Sequence, residues 1–205
     1  TGRKGNETIC VVADCTGHGV PGAFMSLLGH NMLENVIQRE TSTNPGAILS
    51  ALNKEITARF SKGEESAKHG MDIAVISINK ETQQLQYAGA RNSIYIVRKQ
   101  ALTEIKADKF STGVVLKDQS TPNYTNQVIS LEKDDMIYLF SDGYPDQKGG
   151  AEKKKFYYQP FKDLLTTIQT LSLDEQQKRL DDVIMNWIGK GEQIDDILVM
   201  GIRNV

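Results

Sequence analysis

Val11-Val12-Ala13-Asp14-Cys15-Thr16-Gly17-His18-Gly19-Val20-Pro21-Gly22-Ala23 runs an apolar strand into a carboxylate and then into a glycine-rich turn that opens a helix. Two more acidic sites stand at comparable places far along the chain. Asp142 follows Met136-Ile137-Tyr138-Leu139-Phe140-Ser141, and Asp195-Asp196 precede Ile197-Leu198-Val199-Met200. Taken singly, an Asp at a strand end serves its own backbone hydrogen bonds, and Asp142-Gly143 is a common turn dipeptide. Taken together, three carboxylates at the rim of one sheet repel unless a cation neutralises them. Their oxygens suit hard divalent ions such as Mg²⁺ or Mn²⁺.

Outward from the first motif, Glu7 to Ala13 reads as a buried strand. A helix follows from about Gly22 to Gln38, with Phe24, Leu27, Leu28, Met32 and Val36 on one face. Thr41-Ser42-Thr43 breaks it. Asn44 then caps a second helix with Pro45 at its first position, and Ile48, Leu49, Leu52, Ile56 and Phe60 form its buried stripe. Residues 61–70 read as a polar loop. Strands Met71–Ile78, Leu85–Ala88 and Ile94–Arg98 follow so closely that they must pair antiparallel. Irregular chain is expected from Ala101 to Asn126, then strands Gln127–Leu131 and Met136–Phe140 joined by a hairpin turn at Glu132-Lys133-Asp134-Asp135. Ser172-Leu173-Asp174-Glu175 has capping-box form ahead of an amphipathic helix that ends at Gly189-Lys190-Gly191, and Ile197–Ile202 is a closing strand. Strand, two helices, five strands, one or two helices, strand: this order calls for an α+β fold, helices flanking a largely antiparallel sheet or sandwich in one domain.

The chain has 205 residues, 39% hydrophobic and 24% charged, which is enough to bury a full core. A net charge of −2 gives no general attraction for nucleic acid or anionic lipid. Lys153-Lys154-Lys155 reads as a solvated loop. No apolar run approaches the ~20 residues that span a bilayer, and nothing after Thr1 resembles a signal-peptide core, so a cytoplasmic location is expected. Cys10 and Cys15 stand five positions apart on extended chain, beyond disulfide reach at ~3.3 Å per residue.

Gly17-His18-Gly19-Val20-Pro21-Gly22 also matches G-x-G-x-x-G, but the second helix at Asn44-Pro45 stands where a dinucleotide fold needs a parallel strand. Asp14 would also set negative charge against a pyrophosphate. His18 can donate a proton or bind phosphate, or simply cap the helix. Arg91, in Ala88-Gly89-Ala90-Arg91-Asn92-Ser93, has the chemistry to hold a phosphate bidentately, against the plainer reading of a solvated turn residue. Asp72 begins a strand, as a supporting acid or a strand-entry charge.

Read together, Asp14 to Ala23, Gly70-Met71-Asp72-Ile73-Ala74, Ser141-Asp142-Gly143 and Asp195-Asp196 resemble, in order and spacing, the SpoIIE/RsbU branch of the PPM-type (protein phosphatase 2C-like) metal-dependent serine/threonine phosphatases. The likeness spans nearly the whole chain. It implies a four-layer αββα sandwich, an antiparallel β-sandwich flanked by helices, with two Mn²⁺ or Mg²⁺ ions at one edge. By the same resemblance Asp14 bridges the ions, the backbone carbonyl of Cys15 ligates one, and Asp142 and Asp195 hold the other, Asp195 being preferred over Asp196 by family position. Hydrolysis of phosphoserine or phosphothreonine by an activated water is implied, with His18 a candidate catalytic residue although its spacing differs from that of the histidine acid in eukaryotic relatives. The family's upstream Gly-Asp strand has no counterpart in Thr1 to Asn6. The 1–205 chain is therefore expected to be a single phosphatase domain lacking its first strand, the C-terminal part of a larger signalling protein. The family's Ala-Gly-His-x-x-Pro turn is replaced by Ala88 to Ser93, and Asp146 stands where many relatives have Glu. Expected partners are a phosphorylated protein substrate of the anti-anti-sigma type, an upstream sensory or receiver domain, and a second copy in a homodimer. Nucleic acid binding and membrane insertion are not expected. The alternative is a catalytically silent partner-binding module of the same fold.

Overall fold

The computed structural model describes residues 1–15, 17, 19–40, 42–60, 70–114 and 121–205. Thr16 and His18 lie outside them, as does the polar stretch except for Gly70. The described chain divides into two compact units. Unit 1 comprises Thr1–Ser93 and Lys106–Leu131, and unit 2 comprises Ile94–Ile105 and Glu132–Val205.

Unit 1 is a five-stranded antiparallel sheet carrying a helix pair. Its strands are β1 (Gly2–Lys4), β2 (Glu7–Cys15), β3 (Met71–Asn79), β4 (Gln84–Ala90) and, from the later segment, β7 (Gln127–Ser130), in the order β1-β2-β3-β4-β7. β1, a three-residue edge strand without an apolar residue, carries no pattern that would announce it. Helices α1 (Gly19–Arg39) and α2 (Pro45–Phe60) lie between β2 and β3 in the chain. The start of α2 follows from two residues. The Asn44 Oδ1 accepts the Ala47 N–H at 2.9 Å, and Pro45 fills a position that needs no donor.

Ile48, Leu49, Leu52 and Ile56 of α2 pack with Met32 and Val36 of α1 onto Ile9, Met71, Ile73 and Val75. The buried side of α1 is rotated from the expected one: Met25, Met32 and Val36 are buried, whereas Phe24 and Leu27 are about 60% exposed. At about 100° per residue Phe24 lies to one side of the Met25-Met32-Val36 line and Leu27 nearly opposite it, so the apolar surface of this helix is wider than its packed stripe. At the centre of the unit, buried Asn53 is fully partnered. Its Oδ1 accepts from the Gly113 and Val114 N–H groups at 2.7 and 3.1 Å, and its Nδ2 donates to the Val114 carbonyl at 3.2 Å.

Unit 2 holds the four-stranded antiparallel sheet β11-β8-β5-β6, with β5 (Ile94–Arg98), β6 (Ala101–Ile105), β8 (Met136–Phe140) and β11 (Val199–Arg203). β6 falls where irregular chain was expected. Its turn, Lys99-Gln100, takes left-handed φ values of 49° and 62° without a glycine or asparagine, so the usual hairpin signature is missing. β7 and β8 do not form a hairpin either: β7 pairs with β4, and β8 with β5 and β11. The turn ahead of β8 is fixed instead by Asp135, 1% exposed, which takes a two-pronged bond from Arg98 at 2.8 and 2.6 Å and accepts the Glu132 N–H. Such a fork satisfies a buried carboxylate that would otherwise be costly.

A short helix α3 (Gly143–Asp146), the two-residue strands β9 (Lys148–Gly149) and β10 (Lys154–Lys155), α4 (Tyr158–Ile168) and α5 (Leu173–Ile188) complete the unit. The lysine run is thus partly a strand rather than loop alone. The α5 start is the expected capping box on Ser172 and Glu175, and Gly189 closes it at φ 59°. Tyr95, Tyr138, Phe140, Tyr144, Phe156 and Phe161 pack with Leu165, Leu180 and Ile184 between sheet and helices. Among the described residues no helix is long and apolar enough to cross a membrane.

Candidate metal and phosphate site

In unit 1, the first motif is built as its glycines require. Gly17 and Gly19 take φ values of 103° and 67°, and a Cβ on Gly22 would stand 2.6 Å from the Gly17 carbonyl oxygen. Only glycines close this turn at the end of β2. Asp14 sits there, half-buried, and its cross-strand partner in β3 is Asp72. Alternation along β2 puts Asp14 and Asp72 on the face opposite the helix pair. Asp72 accepts a hydrogen bond from the Ser111 hydroxyl and faces the Arg91 guanidinium, Nε to Oδ2 at 3.3 Å. Ser111 arrives because Gly70 leaves room: a Cβ there would meet the Thr112 carbonyl oxygen at 2.5 Å, and the Thr112 N–H donates to the Met71 carbonyl at 2.9 Å.

Cys15 turns its side chain to the other face, under α1, where it lines an apolar cavity of about 490 Å³ with Ser26, Gly29, Leu33 and Ile73. Burial pushes its thiol pKa up, and the Ser26 hydrogen bond offsets only part of that. A protonated thiol is no metal ligand. Cys10 is likewise a free, buried thiol. His30 is exposed on α1 beside Glu34 at 3.7 Å.

In unit 2, Asp142 is exposed at the end of β8 and its carbonyl receives the Asp146 N–H at 2.9 Å as α3 begins. Ser141 stitches this point to the chain entering β11. Its hydroxyl donates to the Asp196 carbonyl at 2.8 Å and accepts the Leu198 N–H at 3.0 Å, while its own N–H donates to the Leu198 carbonyl at 3.0 Å. Gly143 packs so tightly on this segment that a Cβ would lie 2.2 Å from the Asp196 carbonyl oxygen. The structure therefore sets the backbone around Asp142 against the segment that carries exposed Asp195 and Asp196. Asp146 is paired with Lys155 at 2.8 Å; this hydrogen bond, and beyond it the Asp142 charge, holds the Lys155 ammonium above its ordinary pKa.

Each unit thus presents acids close to its strands, and carboxylate oxygens are the donors that hard divalent ions prefer. Among the described residues no three acidic, histidine or cysteine side chains gather into a ready-made cage. His18 lies outside the described residues. The roles of Ser111 and Lys155 were not legible in sequence: neither belongs to a motif, and only the β3 register and the β9–β10 pairing bring them in.

A likeness to solved structures extends over nearly the whole chain. The SiaA PP2C domain of Pseudomonas aeruginosa superposes with a TM-score of 0.88 at 27% identity, covering 98% of this chain and 77% of that one. The PP2C phosphatase domain of SpoIIE from Bacillus subtilis gives 0.73 at 15% identity, covering 96% of this chain and 54% of that structure. RsbX, solved in complex with magnesium, gives 0.65 at 15% identity, covering 98% and 82%. The last two speak for the fold alone, the α+β arrangement of antiparallel sheets and helices found in PP2C-like domains. No curated protein matched the chain. The family model for Stage II sporulation protein E matches residues 4–204, so the chain belongs to the SpoIIE family, within the SpoIIE/RsbU branch of the PPM-type phosphatases.

Proposed function

We propose that this chain is a Mn²⁺- or Mg²⁺-dependent phosphoserine/phosphothreonine protein phosphatase domain, the output of a cytoplasmic signalling protein. The observation that carries the reading is the position of the acids: half-buried Asp14 stands at the glycine-closed end of β2, and exposed Asp142 follows β8 where Gly143 packs on the exposed 195–196 segment. Asp14, the Cys15 carbonyl, Asp142 and Asp195 would hold two ions. Such a pair supplies an acidified water and neutralises charge on the phosphoryl oxygens.

The residues around them have their own tasks. Ser141 and Gly143 fix where Asp142 stands relative to 195–196, and Lys155 balances Asp146. RsbX binds magnesium, which favours the hard-ion assignment for a relative of this fold. His18 is proposed as an accessory acid or phosphate contact. The proposed substrate is a phosphorylated regulator of the anti-anti-sigma type, delivered under control of an upstream sensory or receiver domain, with a homodimer as the working state.

The test is hydrolysis of a phosphoserine peptide with Mn²⁺, with Mg²⁺ and with chelator, comparing the chain to Asp142→Asn. Turnover that needs metal and falls more than about 100-fold in the variant supports the assignment. Turnover indifferent to chelator and to the substitution refutes it. No turnover with undiminished binding of the phosphorylated partner identifies a silent module instead.

A further inference from the structure

The turn Gly89-Ala90-Arg91-Asn92-Ser93 is over-determined for a surface hairpin. The Tyr87 hydroxyl donates to the Asn92 carbonyl at 2.7 Å, and the Arg91 N–H donates to the Asp108 carbonyl at 2.8 Å. The Asp108 N–H donates to the Gly89 carbonyl at 2.9 Å, and the Ala107 N–H donates to the Ser93 hydroxyl at 3.2 Å. A Cβ on Gly89 would strike the Tyr87 hydroxyl at 2.0 Å, so the turn closes only around glycine. Ala88, Gly89, Ala90 and Asn92 are buried, Ser93 is half-buried, and Arg91 is exposed.

Arg91 stands at φ 56°, a left-handed conformation that disfavours residues carrying a Cβ. Its ion pair with Asp72 is open to solvent, with side-chain exposures of 59% and 39%, and an exposed pair contributes little to stability. The pair therefore does not account for an arginine at a position that favours glycine or asparagine. What the pair does is aim the guanidinium. Asp72 engages Nε, which leaves the two terminal nitrogens with no partner among the described residues, beside the cross-strand neighbour of Asp14. Two parallel N–H donors in a fixed plane match two oxygens of a phosphomonoester.

We propose that Arg91 is the residue that binds the phosphoryl group of the phosphoserine or phosphothreonine substrate, oriented by Asp72. This rests on the phosphatase reading above and adds to it the source of phosphate recognition, at a turn where the chain departs from the family's usual Ala-Gly-His-x-x-Pro. Asp72, itself held by Ser111, is a positioning residue.

The experiment is fluorescence anisotropy of a labelled phosphoserine peptide and its unphosphorylated twin at saturating Mg²⁺, in the Asp142→Asn background so that bound peptide is not consumed. Arg91→Ala is expected to weaken the phosphorylated peptide roughly 10- to 100-fold and leave the unphosphorylated one unchanged. Arg91→Lys, which keeps the charge and loses the fork, falls between. In the unmodified background Arg91→Ala raises KM with kcat nearly held. Equal affinity for the phosphorylated peptide with and without the Arg91→Ala substitution overturns the proposal, as does the absence of any phosphate-dependent binding with Arg91 present. Phosphate-dependent binding that Arg91→Ala removes, in a chain whose parent shows no turnover, sinks the phosphatase reading and leaves this one standing. Unchanged melting temperature in Arg91→Ala shows that the turn is intact.

Discussion

Adding one methyl group at Gly143 separates an acidic centre from a pair of turn aspartates. In the native packing a Cβ at this position would lie 2.2 Å from the Asp196 carbonyl oxygen and 2.8 Å from its carbon, where real Cβ contacts stay beyond 3.0 Å. Both obstacles are backbone and neither can rotate away, so Gly143→Ala must drive the 195–196 segment off Asp142 by about 0.8 Å or more. Overpacking of this kind costs roughly 1–3 kcal/mol, which for a chain of this size lowers the melting temperature by about 2–12 °C and leaves the fold populated. A displacement near 1 Å in a catalytic constellation costs on the order of 10²-fold. The expected result is a folded protein with hydrolysis of a phosphoserine peptide reduced about 100-fold and a raised metal concentration for half-maximal rate. Gly143→Ala with native metal dependence and native rate would refute the idea that Asp142 and the 195–196 segment act as one unit.

Further outcomes follow from burial. Asn53→Ala removes the acceptor for the Gly113 and Val114 N–H groups at a fully buried position, and is expected to cost about 1–3 kcal/mol in denaturant unfolding; a loss below about 0.5 kcal/mol would show that these donors find other partners. Burial raises the pKa of Tyr95, Tyr124, Tyr138 and Tyr144 well above the ordinary tyrosine value. The native state keeps these protons when the unfolded chain has lost them, so the stability they contribute is intact below about pH 10 and is lost as pH climbs beyond, at about 1.4 kcal/mol per pH unit for each tyrosine. Denaturant midpoints flat from about pH 9 to 11, or tyrosinate absorbance appearing before the loss of secondary structure, would contradict this.

What could be read from the residues alone was local. The Asn44-Pro45 start of α2 and the Ser172–Glu175 box of α5 are decided by residues within one turn, and both stand as expected. α4 was harder: its N-cap is Tyr157 at φ 72°, with no side-chain cap to announce a start. β6 hid behind a turn of Lys99 and Gln100. The supposed β7–β8 hairpin failed because β7's partner, β4, lies some forty residues earlier, and no local signal competes with a sheet edge that is already built. At the site, the acids were found from their strand-end context. The Asp14–Asp72 pairing, the Ser111 hydroxyl on Asp72 and the Gly143 packing all depend on register and close approach, which a linear reading does not contain.

The threading of the two units also sets an order of events on the ribosome. Unit 1 has all of its strands once residue 131 is made, whereas the sheet of unit 2, begun with Ile94–Ile105, waits for β11 at residues 199–203. At about 5–20 residues per second, some 70 further residues take roughly 4–14 s to synthesise. Early in that interval β8 joins the β5–β6 hairpin, but its other edge stays unpaired until β11 is made, and Asp195 has not yet been added. The proposed acidic set becomes complete only once residue 195 is added, so a nascent chain carries Asp14 and Asp142 well before it carries the carboxylate proposed to act with them.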